Sequence, residues 1–216
     1  MEQIRMNLPG ANDYFVQEAV KVLRTNLQFC GKDVKVIAVT SCHENEGKTV
    51  ISLSVAKGFS ELGKKVLVID TDMRKSVMAG RNTTAQNVEG LSEVLTGMKI
   101  LGDCLYTTEE DVDILFSGQY PPNPVELLSG QYFSTLLTEA RKCYDYIIVD
   151  TPPIGMVIDA AVVAPLCDGV VIVMGERNVT YRQVRGAVEQ LRKTGSKILG
   201  VVVNKIKPKQ ESCYRK

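Results

Sequence analysis

The chain of 216 residues has no tryptophan and a single histidine, His43. It has no apolar run near the roughly 18–20 residues that a membrane-spanning helix needs. Residues 1–10 contain no apolar stretch of the kind found in secretory signal peptides. We therefore expect neither a membrane span nor secretion, and the cytoplasm is the expected compartment.

Cysteine is present, but it lacks the spacing of a metal site or a disulfide framework. No two of the six cysteines form a C-x-x-C pair, and His43 has no second ligand at metal-binding spacing. A zinc site and disulfides are not expected, and the thiols are predicted to be reduced packing residues. Cys42 is the predicted exception, because its loop should be exposed to solvent.

An excess of charge of one sign is also missing. The net charge is +1, so the total charge gives no reason to expect nucleic acid as a partner. A chain of this length can bury one substantial core and fits one domain.

Short apolar runs alternate with helical patterns along the chain. Runs that are apolar throughout indicate strands of a parallel sheet buried on both faces. We therefore predict an α/β fold, with helices on both faces of a mostly parallel sheet, as a single domain over residues 35–206. Residues 1–34 form a preceding segment with a helix from near Tyr14, and residues 207–216 form a tail. The predicted strands are residues 35–41, 66–70, 113–116, 146–150, 169–174 and 200–204.

The segment SCHENEGKT, residues 41–49, lies between a predicted strand and a predicted helix, which is the setting of a phosphate-binding loop. Gly47 would let backbone N–H groups approach phosphate oxygens at the helix N-terminus. Lys48 would neutralise the β- and γ-phosphates, and the Thr49 hydroxyl would ligate Mg²⁺. The fold is therefore predicted to be P-loop NTPase-like. The predicted nucleotide contacts in this segment are Asn45, Glu46, Gly47, Lys48, Thr49 and Val50.

This segment departs from the usual pattern. Cys42 stands where the first glycine is expected, so Gly-Lys-Thr without its context could be a surface turn. Glu44 and Glu46 place negative charge beside a triphosphate, and we expect both to point to solvent or to another subunit. His43 could contact a phosphate or a base, although a loop residue without such a role is the commoner case.

Carboxylates directly follow two predicted strands. Asp70 and Asp72 end one strand, and Asp150 ends another. Alternate residues of an extended chain project in similar directions, and Mg²⁺ prefers oxygen ligands. Thr49, Asp72 and Asp150 are the predicted metal ligands, and one carboxylate of the first pair could accept a proton from an attacking hydroxyl. Arg74 would offset charge or contact a phosphate.

These motifs are predicted to share one edge of the sheet, because ligands of parallel sheets bind beyond the carboxyl ends of the strands. Asn204 ends the last predicted strand at the same edge. Its side chain could contact adenine, or it could simply cap the strand.

The motifs resemble those of the bacterial tyrosine kinases of polysaccharide export and capsule systems. That family carries a Walker A loop, a motif of three apolar residues before Asp-x-Asp-x-Arg, and a Walker B strand. Here LVIDTDMR spans residues 67–74 and IIVDTPP spans residues 147–153. The resemblance covers roughly residues 17–205. It implies an ATP- and Mg²⁺-dependent protein-tyrosine kinase with Asp70 as the base and with the catalytic residues Lys48, Asp70, Asp72 and Asp150.

The resemblance also implies partners. The family assembles into rings through a helical Glu-x-x-Arg-x-x-Arg pattern, which here is Glu18, Lys21 and Arg24. Lys21 keeps the charge but lacks the planar guanidinium. A transmembrane adaptor activates such kinases through its cytoplasmic segment, so we expect the chain at the inner face of the cell membrane. The family's C-terminal tyrosine cluster is reduced to Tyr214, the candidate phosphosite, and the other expected substrates are protein tyrosines.

Two other functions remain open. An ATP-dependent scaffold that gates a polysaccharide polymerase without catalysis is compatible with the loss of the tyrosine cluster. A positioning ATPase of the partition and cell-division type would carry an additional lysine in its phosphate loop, where this chain has His43. That substitution favours the kinase over the positioning ATPase.

Overall fold

The computed structural model describes residues 3–176 and 180–206, and these residues form one eight-stranded sheet with helices on both faces. Its order is β1-β4-β5-β3-β6-β2-β7-β8. Among the described strands only β4 and β5 pair antiparallel, so the prediction of a mostly parallel α/β sheet is confirmed. The strands are β1 (Gln3–Ile4), β2 (Val36–Ser41), β3 (Val66–Asp70), β4 (Leu105–Thr108), β5 (Val112–Leu115), β6 (Tyr146–Asp150), β7 (Gly169–Gly175) and β8 (Ile198–Asn204).

Seven α-helices lie within the described residues. The first begins after Asp13, whose carboxylate accepts a hydrogen bond of 2.8 Å from the backbone N–H of Phe15. No helix in residues 3–176 and 180–206 is long and apolar enough to cross a membrane. The helices are α1 (Tyr14–Phe29), α2 (Lys48–Ser60), α3 (Leu91–Leu95), α4 (Pro124–Ser129), α5 (Gln131–Cys143), α6 (Asp159–Val163) and α7 (Tyr181–Lys193).

Successive side chains of the central strand β2 point alternately into the cores on the two faces of the sheet. Ile37 and Val39 pack on one face against residues of α1 and α2. Val36 contacts the cluster formed with α3, α4 and α5 on the opposite face, where Ala38 packs with residues of α6 and α7. Successive side chains of a strand point to opposite faces, so a continuous apolar run can bury both.

Three short elements were not predicted. The strand β1 has two residues, and β4 (LYTT) is half-buried and lacks a continuous apolar run. The helix α4 begins at Pro124, although the preceding prolines favour extended chain. Proline is tolerated at the first helical position because the backbone N–H there has no helical partner.

The predicted exposure of Cys42 is wrong. The residue is 2% exposed and packs with Ile154 and Ala160 in the core on the side of α6 and α7. Gly155 lies directly over it, and a Cβ at that position would come within 2.3 Å of the Cys42 carbonyl oxygen. Burial, followed by the charge of Glu46, raises the pKa of the Cys42 thiol to about 11.

Asp168 joins three elements on the amino-terminal side of the sheet. Its carboxylate accepts the backbone N–H groups of Lys35 and Val36 at 2.9 and 2.7 Å. Two guanidinium nitrogens of Arg141 on α5 donate to it at 2.8 and 2.9 Å. Burial opposes ionisation of this carboxyl, but the Arg141 guanidinium and the two N–H groups outweigh it and lower the pKa of Asp168.

We predict that Asp168→Asn lowers the free energy of unfolding by about 1–3 kcal/mol at neutral pH, because an amide nitrogen would face donors. The folded-state pKa is depressed, so the ionic contribution is complete above the ordinary value of about 3.9 and is lost as pH falls through the folded value. Urea unfolding at a series of pH values measures the difference in free energy of unfolding between variant and wild type. If this difference does not narrow below about pH 4, the ionic contribution of Asp168 is contradicted.

Candidate active site

The carboxyl ends of β2, β3, β6 and β8 bring the predicted motifs together at one edge of the sheet. The phosphate-loop segment leaves β2 at Ser41 and enters α2 at Lys48. Asn45 and Gly47 both have left-handed backbone conformations, with φ of 61° and 91°. A Cβ on Gly47 would lie 2.2 Å from the Asn204 side-chain nitrogen, so only glycine fits there.

Lys48 lies between two of the strand-end carboxylates. Its ammonium nitrogen is 3.2 Å from Asp72 Oδ2 and 3.7 Å from Asp150 Oδ2. The Thr49 hydroxyl donates to Asp150 Oδ2 at 2.6 Å. Burial alone would lower the pKa of Lys48, but the charges of Asp150, Asp72 and Asp70 outweigh it and raise that pKa, so the lysine is held in its charged form.

The oxygen atoms in this cluster are suited to a magnesium ion. Thr49, Asp72 and Asp150 offer hard oxygen donors around the Lys48 ammonium. Among the described residues no group of three His, Cys, Asp or Glu side chains converges as a metal site. Two carboxylates and a hydroxyl suit Mg²⁺ nevertheless, because this ion usually takes few protein ligands and completes its shell with water and phosphate oxygens.

Ser52, which was not predicted, holds a carboxylate of the cluster from the first turns of α2. Its hydroxyl donates to Asp150 Oδ1 at 2.9 Å, while Thr49 occupies the other oxygen of the same carboxylate. Ser52 lies one helical turn after Lys48, and residues four apart share a helix face, so this spacing could have identified it.

Asp70 is more enclosed than its place in the motif suggests. It is 1% exposed, Oδ1 accepts the backbone N–H of Asp72 at 3.0 Å, and Oδ2 accepts the Ser76 hydroxyl. Burial, followed by the charge of Asp150, raises the pKa of Asp70 to about 7. Ser76 carried no sequence signal, because it lies in a loop without periodicity.

A cleft opens beside this cluster between the loop after β3 and the loop after β6, and we call it the strand-end cleft. Its charged lining residues are Glu44, Lys48, Asp72, Arg74 and Lys75. The Nε group of Arg74 donates to both oxygens of Asp159, at 3.0 and 3.2 Å. Asp159 is fully buried at the start of α6 and was not predicted, since its partner is 85 residues away.

The cleft also has apolar walls. Val77 lies in the loop after β3, and Pro153, Met156 and Val157 lie in the loop after β6. The cleft is therefore lined by both charged and apolar side chains.

Comparisons with known proteins agree with this geometry. A family model described as an AAA domain matches residues 34–205. Tyrosine-protein kinase CpsD of Streptococcus agalactiae is 41% identical over 191 residues, covering 88% of this chain and 83% of that protein. Tyrosine-protein kinase YwqD of Bacillus subtilis is 36% identical over 203 residues, covering 91% and 84% respectively. The chain belongs to the bacterial tyrosine kinases.

Solved structures place the fold in the same family. The kinase domain of the Escherichia coli tyrosine kinase ETK has a TM-score of 0.82 at 32% identity, covering 92% of this chain and 80% of that one. The chimerical protein CapA2B2 has a TM-score of 0.85 at 31% identity, covering 96% and 94%. The MinC:MinD complex of Aquifex aeolicus, at 23% identity and a TM-score of 0.64, shares the fold alone. The P-loop fold and family predictions are confirmed, and membership implies nucleotide binding.

Glu46 of this kinase does not point to solvent or to another subunit, as the sequence led us to expect. It is 1% exposed, and its carboxylate accepts the backbone N–H groups of His43 and Gly175 at 2.8 and 3.1 Å. These two bonds compensate the buried charge. Asn204 donates to the Glu46 carbonyl oxygen at 2.9 Å, and Lys205 donates to the carbonyl of Asn45.

Two other residues of the segment, His43 and Glu44, are half-buried and contact neighbouring elements. Glu44 forms an ion pair of 2.9 Å with the exposed Lys75. Glu44 itself is half-buried and lines the strand-end cleft, so it does not point freely to solvent as the sequence led us to expect. His43 Nε2 lies 2.9 Å from the Gln183 side-chain nitrogen on α7. His43 is therefore in contact with a neighbouring helix in this structure.

The predicted self-association residues lie on α1 and take part in contacts within the chain. Lys21 and Glu18 form an ion pair of 2.7 Å, and Arg24 donates to the Gly58 carbonyl oxygen on α2 at 2.8 Å. Their role between subunits stays a prediction. Tyr214 and the tail 207–216 lie outside the described residues.

We predict that Glu46→Gln weakens Mg-ATP binding about 10–100-fold, because an amide nitrogen would face one of the two backbone N–H groups and shift the phosphate loop. Calorimetric or fluorescent-nucleotide titration measures the dissociation constant. The control is Asp168→Asn, which removes a half-buried carboxylate that also accepts two backbone N–H groups, but away from the loop. Equal loss of affinity in both variants would contradict a local role for Glu46.

Proposed function

We propose that this chain is an ATP- and Mg²⁺-dependent protein-tyrosine kinase that regulates capsular or exopolysaccharide synthesis and export. The observation that carries the proposal is the cluster of Lys48, Thr49, Asp72 and Asp150 in a member of the tyrosine kinase family. The Lys48 ammonium lies 3.2 Å from Asp72 and 3.7 Å from Asp150, and the Thr49 hydroxyl lies 2.6 Å from Asp150. A nucleotide-binding cluster in this family supports phosphoryl transfer to tyrosine.

In the proposed reaction, a tyrosine oxygen attacks the γ-phosphorus in line and ADP leaves. Lys48 holds the β- and γ-phosphates, since its ammonium group is kept charged by the surrounding carboxylates. Thr49, Asp72 and Asp150 would hold Mg²⁺, which would supply positive charge to offset the charge of the phosphates. Backbone N–H groups from Asn45 to Val50 would orient the phosphates at the start of α2.

Asp70 is our candidate for the base that takes the phenolic proton. A base works best when its pKa is near the working pH, and burial raises the pKa of Asp70 towards that range. Asp72 rather than Asp70 lines the strand-end cleft, so Asp72 is the competing candidate. Asn204 is our candidate for the adenine contact, since it lies against Gly47 on the β8 side of the loop.

We propose that the domain of residues 35–206 carries this activity and that residues 207–216 form a tail. We also propose that residues 1–34 mediate ring-like self-association through Glu18, Lys21 and Arg24. A transmembrane adaptor would hold the chain at the inner face of the membrane and activate it through a cytoplasmic segment. Support comes from the family and from relatives such as the tyrosine-protein kinase Wzc of Salmonella typhi, of which this chain covers 27% at 34% identity.

The kinase proposal predicts phosphotyrosine on Tyr214 or on a partner tyrosine after incubation with Mg-ATP and a candidate adaptor segment. Mass spectrometry maps the modified residue, with Lys48→Met as the inactive control and Tyr214→Phe as the site control. ATP binding without phosphotyrosine in the wild type would instead favour the non-catalytic scaffold, which the single tail tyrosine also allows.

The two carboxylates of the Asp-x-Asp motif can be separated by their replacement with asparagine. If Asp70 is the base, Asp70→Asn should lower kcat about 10²–10⁴-fold with little change in the KM for ATP. Asp72→Asn should instead raise the Mg²⁺ concentration needed for half-maximal activity. A kcat loss confined to Asp72→Asn, with Asp70→Asn near wild type, would assign the base to Asp72.

A further inference from the structure

Arg74 and Asp159 form an ion pair that is buried at the carboxylate and open at the guanidinium group. The Asp159 side chain is 1% exposed, whereas the Arg74 side chain is 33% exposed. The Nε group of Arg74 donates to both carboxylate oxygens, at 3.0 and 3.2 Å. A buried carboxylate is costly without an opposite charge, so Arg74 compensates Asp159. Because Asp159 is enclosed by the protein, it in turn holds the guanidinium group in place.

The ion pair leaves the terminal nitrogens of Arg74 unused. Within residues 3–176 and 180–206, neither of them has a hydrogen-bond partner, since only Nε donates to Asp159. Arg141 behaves differently, because both of its terminal nitrogens donate to Asp168, at 2.8 and 2.9 Å. The fork of Arg141 is therefore fully engaged by one carboxylate, whereas the terminal N–H groups of Arg74 can bind a second anion.

The position of Arg74 indicates which anion this is. Arg74 lines the strand-end cleft together with Lys48 and Asp72. Lys48 is our proposed partner of the β- and γ-phosphates, so the γ-phosphoryl group is the anion within reach of the free N–H groups. Negative charge is spread over the oxygens of this group during transfer, and donors that are fixed beforehand stabilise it without rearrangement.

We propose that Asp159 is a positioning residue for phosphoryl transfer, which fixes the guanidinium group of Arg74 so that its terminal N–H groups bind the γ-phosphoryl oxygens in the transition state. This assignment rests on the proposed kinase function. In that reaction the tyrosine oxygen forms a bond to the γ-phosphorus, and the bond from that phosphorus to the β,γ-bridging oxygen breaks. ADP leaves with the electron pair, and the phenolic proton passes to the carboxylate base. Arg74 and Asp159 keep their charges throughout.

The pair of Arg141 and Asp168 provides a matched control. The side chains of Arg141 and Arg74 are 32% and 33% exposed, and each binds one aspartate. Asp168 lies on the amino-terminal side of the sheet, where it accepts the backbone N–H groups of Lys35 and Val36, away from the strand-end cleft. Replacement of either arginine by lysine keeps the charge and removes the planar guanidinium group. A role in the reaction would therefore distinguish the two variants.

The experiment measures steady-state phosphorylation of a random glutamate–tyrosine copolymer by the full chain. Arg74→Lys should lower kcat about 10²–10³-fold with the KM for ATP within about threefold, because the lost contact is made in the transition state. Asp159→Asn should lower kcat about 10-fold or more, because a neutral amide holds the guanidinium group less firmly. Arg141→Lys should keep the kcat of the wild type.

Two further measurements separate positioning from a purely structural role of Asp159. The affinity for Mg-ADP with aluminium fluoride, a mimic of the transferring phosphoryl group, should fall in Asp159→Asn while the affinity for Mg-ADP alone stays unchanged. Added guanidinium ion should restore part of the kcat of Arg74→Ala, but not when Asp159→Asn is also present, because the ion then lacks its holder. This double variant leaves no charge of the pair buried alone. Thermal unfolding checks that each variant is folded.

The outcomes distinguish this assignment from the kinase function itself. Equal kcat values for Arg74→Lys and Arg141→Lys would overturn the assignment and leave the kinase function standing. Equal rescue by guanidinium ion with and without Asp159→Asn would also overturn it, because Asp159 would then hold nothing that the reaction needs. No phosphotyrosine from the wild type would overturn both proposals.

Discussion

The buried ammonium group of Lys48 is the constraint around which the active edge of the sheet is organised. A charge in such a site is costly unless opposite charges compensate it, and here Asp72 and Asp150 do so at 3.2 and 3.7 Å. The two carboxylates come from the ends of β3 and β6, and the lysine comes from the loop after β2. The order of these strands therefore decides whether the charge cluster can form, and a bound triphosphate would take over the role of partner to Lys48.

The phosphate loop of this chain is held by side chains from other strands. Glu46 binds backbone N–H groups of the loop and of the end of β7, and Asn204 on β8 binds the Glu46 carbonyl oxygen. Cys42, in place of the usual first glycine, is packed in the core below. These long-range contacts fix the loop's shape, so one glycine, Gly47, is enough at the point of closest approach to Asn204.

Charged and apolar side chains line the same cleft at this edge of the sheet. Lys48 and Asp72 line one cleft together with the apolar side chains of Val77 and Met156. Asp159 holds the Arg74 guanidinium, which lines this cleft, through two contacts of 3.0 and 3.2 Å.

The sequence by itself determined the sheet class, five of the main strands closely, and the positions of Gly47, Lys48, Asp70, Asp72 and Asp150. Buried strands appear as apolar runs, and these motifs are short and local. β4 and α4 were not predicted, because a half-buried strand and a helix that begins with proline carry weak local signals.

The tertiary structure alone decided the inward direction of Glu46, the burial of Cys42, the pairing of Arg74 with Asp159 and the place of Met156 in the cleft. Each depends on contacts between distant residues, such as Glu46 and Gly175, 129 positions apart, whose meeting is set by the strand order.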